Sequence, residues 1–83
     1  MVKSAKLLQR ILYGQRNISF REFERILAAL GFTLDRTRGS HRQYVHPEIP
    51  RPFPIQPAGK DAKSYQIREL LELIEGYGLH IEE

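Results

Sequence analysis

At 83 residues the chain suffices for one domain, burying about 60–65% of the surface its unfolded form exposes; with no cysteine it has neither a disulfide framework nor a thiolate metal site. No apolar run approaches the ~20 residues of a membrane span. The formal charge of +3 is uneven: residues 1–32 carry six basic and two acidic side chains, 33–63 six and three, and 64–83 one and five, so a field that would draw in a polyanion lies over the first two thirds.

Residues 4–13 place Leu7, Leu8, Ile11 and Leu12 at helical spacing, with Ser4 as the expected cap and Gly14 as the stop. The first 21 residues contain no acid, but a basic amphipathic helix accounts for them better than a transit peptide does. A second helix is signed at both ends. Ser19 with Glu22 forms a capping box, Ile18 and Phe23 occupy the positions of a hydrophobic staple, and Gly31 suits the left-handed residue that ends a helix. Phe20, Phe23, Ile26, Leu27 and Leu30 make its apolar stripe. Two helices separated by residues 14–18 also admit a helix-turn-helix DNA reader, against which the exposed set Arg21, Glu22, Glu24 and Arg25 is too mixed in charge to read bases.

Residues 32–38 and 41–46 suit strands, joined by Gly39-Ser40. A glycine at the first of two loop positions fits a type II′ turn and makes Arg38 and His41 cross-strand neighbours. His41 and Tyr44, three apart, face opposite sides of the sheet. A two-residue turn with Leu34 and Val45 paired on the helix-covered side puts His41 at the rim of that side and Tyr44 on the open face beside Arg42; a bulge in the turn exchanges the faces. Tyr44 is thus either a base-stacking platform or a core aromatic, the latter being favoured.

All five prolines fall within 47–57, and Pro50, Pro52 and Pro54 alternate. Their missing N–H groups point one way from an extended chain, which fits an edge strand near 53–56. Residues 58–64 read as a polar loop without phosphate-loop spacing. A last helix spans 64–75, with Ile67, Leu70, Leu71 and Ile74 on one face and Gly76 and Gly78 beyond its end; Lys60 and Lys63 precede its N-terminus, a ready place for a phosphate.

The stretch Gly39-Ser40-His41-Arg42-Gln43-Tyr44-Val45-His46-Pro47, after Leu30-Gly31-Phe32, resembles the glycine-serine-histidine hairpin of the HicA-type mRNA interferase toxins over roughly residues 19–75. The resemblance implies an α+β fold like a double-stranded-RNA-binding domain, with a three-stranded antiparallel sheet packed on helices. Residues 1–83 then form a single domain, with 19–75 as the core and 1–17 as an N-terminal helical extension. It implies RNA cleavage through His41 and a HicB-type antitoxin that covers His41. The expected protein is cytoplasmic, with mRNA as substrate and no metal or other cofactor.

The chemistry agrees with that expectation. Metal-free RNA cleavage needs a base for the ribose 2′-hydroxyl, and histidine titrates in the right range, near ~6.5. Arg36, Arg38 and Arg42 offer bidentate donors to phosphate, with Lys60 and Lys63 as further cations and Ser40 and Tyr44 as further RNA contacts. His46 lies about 16 Å along the strand on the opposite face, too far to act as the acid or to share a metal. The competing readings are a non-catalytic RNA-binding module and, less favoured, the helix-turn-helix regulator.

Overall fold

The computed structural model describes residues 3–81. Its elements run α1 (Ser4–Leu12), α2 (Phe20–Ala29), β1 (Thr33–Arg38), β2 (His41–His46), β3 (Ile49–Ile55), β4 (Pro57–Ala58), β5 (Asp61–Ala62) and α3 (Ser64–Tyr77). Strands β1, β2 and β3 form an antiparallel sheet in that order, and the helices cover one face of it. The α+β order with a helix ahead of α-β-β-β-α is compatible with a double-stranded-RNA-binding-domain-like fold.

The second helix forms as its sequence dictates. Ser19 Oγ accepts from Glu22 N at 3.0 Å while Glu22 Oε1 accepts from Ser19 N at 2.9 Å, the reciprocal capping box. At the other end Phe32 N donates to Leu27 O and Gly31 N to Ala28 O, and Gly31 has φ +101°: a Schellman termination, which needs a residue without Cβ strain at that point. Ile18 and Phe23 are both buried. The first helix differs from expectation at its ends. Ser4 is its first helical residue, not its cap; Lys3 precedes it without a capping side-chain bond, and Leu12 is exposed. Leu7 and Ile11 have no exposed surface and belong to the same apolar cluster as Phe23, Ile26, Leu27, Phe53, Ile55, Ile67 and Leu70.

The hairpin turn has two residues, with Arg38 opposite His41; Gly39 has φ +61° while Ser40 stays out of the positive region, as a type II′ turn requires. The facing of β2 is the reverse of the arrangement in which Leu34 and Val45 share the helix side. Arg42 pairs with Ile55 and Tyr44 with Phe53, and Phe53 and Ile55 are buried, so the large apolar residues of β3 fix which face of β2 turns inward. Tyr44 is therefore core and His41 lies on the open face. A bulge does occur, at Asp35 within β1 and not in the turn; it sets Leu34 opposite Tyr44, and Leu34 stays half exposed at the edge.

The proline strand is an edge strand as expected, but longer, Ile49–Ile55. The expected loop is a second small hairpin: β4 and β5 pair around Gly59-Lys60, Gly59 at φ +65°. It is stitched to the start of α2 by Phe20 N to Lys60 O at 2.8 Å and Ala62 N to Ile18 O at 3.1 Å. The last helix runs through Gly76 to Tyr77 and stops at Gly78, which is left-handed. No helix among the described residues is long and apolar enough to cross a membrane.

Candidate nucleic-acid site

Pleat alternation puts His41 and Gln43 on the open face, opposite Arg38 and Arg36 respectively. These residues, with Arg42 and Pro54, line a depression of about 250 Å³. His41, Arg36 and Arg38 are exposed, and Arg36 touches Asp35 at 3.2 Å in a solvent-screened pair. His41 thus shares one face and one depression with two arginines, a donor set suited to a phosphodiester.

Arg42 is turned the other way. Its guanidinium donates to Glu24 Oε2 at 2.6 Å and lies 5.7 Å from the centre of the Phe20 ring, and the bond to Glu24 raises its pKa above the ordinary arginine value. The Tyr44 hydroxyl donates to the same Glu24 oxygen at 2.6 Å. Burial first, then that bond, pushes the Tyr44 hydroxyl well above the usual tyrosine range. With 6% of its surface exposed, Tyr44 offers no face to a base, so of the two roles left open to it the structure shows the favoured one, a core aromatic. Arg42 likewise serves the junction of α2 and β2.

His46 is also spoken for. Its Nδ1 accepts from Glu48 N at 3.1 Å, which makes Nε2 the protonated nitrogen, donating to Leu30 O at 2.9 Å. The buried ring thereby satisfies a terminal carbonyl of α2 and packs on Phe32 at 5.0 Å between centroids.

The turn reaches α3 through a residue that sequence reasoning passed over. Gln56 Nε2 donates to Ser40 Oγ at 3.2 Å, and Gln56 Oε1 accepts from Lys63 Nζ at 3.3 Å. Ser40 and Lys63 are thus brought to one side of the molecule, whereas Lys60 stands exposed in the second turn, outside the His41 depression. Glu24 was missed in the same way as Gln56. Nothing in either local sequence marks them, because their partners are 16 to 20 residues away or, for Lys63, on the far side of a hairpin. Among the described residues no group of three or more His, Asp or Glu side chains is placed to hold a metal ion.

A sequence model of the family described as HicA toxin of bacterial toxin-antitoxin matches residues 20–75. Comparison with curated proteins and with solved structures returned no match.

Proposed function

This chain belongs to the HicA toxin family, the toxin half of a toxin-antitoxin pair with an antitoxin as partner, and on that premise we propose that it is an endoribonuclease that cleaves mRNA in the cytoplasm without a metal. The observation that carries the reading is the placement of His41: exposed on the open sheet face, rigidly held at a two-residue turn, with Arg38 across the strand and Arg36 next along.

In the proposed step His41 takes the proton of a ribose 2′-hydroxyl as that oxygen attacks the adjacent phosphorus. The bond from phosphorus to the 5′-oxygen breaks, and the leaving oxygen receives a proton from the imidazolium so formed or from Lys63. Products are a 2′,3′-cyclic phosphate and a 5′-hydroxyl. Arg36 and Arg38 balance charge on the phosphoryl oxygens, and Ser40 and Lys63 contact the backbone beside them. Lys60 contributes only to the long-range field. An unrestrained nuclease harms its host, so the antitoxin, of HicB type, covers His41.

Incubating end-labelled single-stranded RNA in EDTA with wild-type protein and with His41→Ala tests this. Scission by the wild type alone, ending in cyclic phosphate, is the expected result. If neither protein cuts and both bind with steep salt dependence, the chain is an RNA-binding module and His41 is not its nuclease residue.

A further inference from the structure

The hairpin tip and the head of α3 are separated by more than 20 positions in the chain, and one side chain joins them. Gln56 uses both ends of its amide, donating to Ser40 Oγ and accepting from Lys63 Nζ. The assignment of its oxygen follows from chemistry: an ammonium has only protons to offer, so Oε1 must face Lys63. The main chain of Gln56 is itself anchored, its N–H donating to Gln66 Oε1 at 3.1 Å, while Gln66 Nε2 reaches Pro54 O at 3.5 Å. Gln66 is buried, so the tie between β3 and α3 is already made beneath the surface. The Gln56 side chain lies above it, half exposed, and stabilises nothing in the core.

What it does order is Lys63, whose side chain is among the costliest to immobilise and which has one further constraint, the Tyr65 ring 5.8 Å away. We infer that Gln56 is a positioning residue which, by bridging Ser40 to Lys63, holds the Lys63 ammonium against the His41 turn so that a single RNA backbone is gripped at two points. This rests on the RNA-cleaving reading. A neutral amide is the suitable bridge because it orients the lysine without cancelling its charge; a carboxylate would accept from both partners and neutralise the grip.

The test uses a cleavage-silent background. In full-length His41→Ala, affinity for a labelled single-stranded RNA is measured across salt concentrations for Gln56→Leu, Gln56→Glu, Lys63→Met and the Gln56→Leu/Lys63→Met pair, with thermal unfolding recorded for each. Lys63→Met is expected to flatten the log–log salt slope by about 0.7, one phosphate contact. Gln56→Leu weakens binding at unchanged fold, and the double variant falls short of the product of the single losses by at least about twofold. In the His41-intact chain Gln56→Leu raises KM more than it lowers kcat. Losses that simply multiply, or a Gln56→Leu chain that binds as tightly as its parent while Lys63→Met does not, overturn the inference. The cleavage assay of wild type against His41→Ala decides the reading beneath it separately, since the binding arm does not depend on scission.

Discussion

Glu24 shows how much one carboxylate can organise. Its Oε2 takes the Tyr44 hydroxyl and the Arg42 guanidinium at 2.6 Å each, tying the middle of α2 to the strand that carries His41. Glu24→Ala leaves the buried Tyr44 hydroxyl without an acceptor, a loss expected to cost about 1–3 kcal/mol, visible as a lower urea midpoint. The sign with pH follows from Tyr44. Its native pKa is raised above the ~10 of an unfolded tyrosine, so its contribution is full below that value and is lost as pH rises beyond it, where the unfolded chain sheds a proton that the native state keeps. Melting temperatures followed from neutral pH to about pH 12 should fall more steeply for wild type than for Tyr44→Phe, which has no hydroxyl to ionise; equal slopes would remove Tyr44 from the alkaline branch.

Among the elements, the β1–β2 hairpin carries the site and its geometry depends on two irregularities. Gly39 supplies φ +61° at the turn, where an added Cβ meets nothing within 4 Å, so Gly39→Ala isolates the backbone term. It should destabilise by at least about 1 kcal/mol, seen as a lower midpoint at unchanged m, and reduce cleavage further by displacing His41. The bulge at Asp35 is the second irregularity. It lets Leu34 meet Tyr44 while Arg36 and Arg38 keep step with Gln43 and His41, so both arginines share the face of the histidine. The turn was legible because a glycine-serine pair between two strand-like runs obeys a local rule. The bulge was not, because no residue type at position 35 announces one, and the inward face depended on Phe53 and Ile55 in a strand yet to come.

On the scale of the molecule, α1 is more than an appendage to the matched segment. Leu7 and Ile11 are entirely enclosed in the common core, and each such side chain is worth about 1.5–3 kcal/mol of burial. A chain beginning after Tyr13 is therefore expected to melt well below the full-length protein, or to stay unfolded by circular dichroism at room temperature. An unchanged melting temperature would show that α1 is dispensable. The charge is as uneven in the fold as along the chain: α3 carries Glu69, Glu72 and Glu75 against a single Arg68, while Arg36 and Arg38 stand exposed on the hairpin.

Both ends of α2, with its capping box and Schellman stop, the hairpin turn and the proline edge could be read from the chain itself, since each rests on interactions within about five residues. The cap of α1 and the end of α3, by contrast, were each misplaced by one or two residues. The opposition of His41 and Tyr44 was legible for the same reason, pleat parity being local. Which of the two turned outward was decided only when β3 and α2 closed on β2. The same closure withdrew Arg42 and Tyr44 to Glu24, gave His46 to the end of α2 and set Gln56 between Ser40 and Lys63. These are contacts between side chains distant in sequence, selected by the packing of large apolar residues around them, and no periodicity along the chain encodes them.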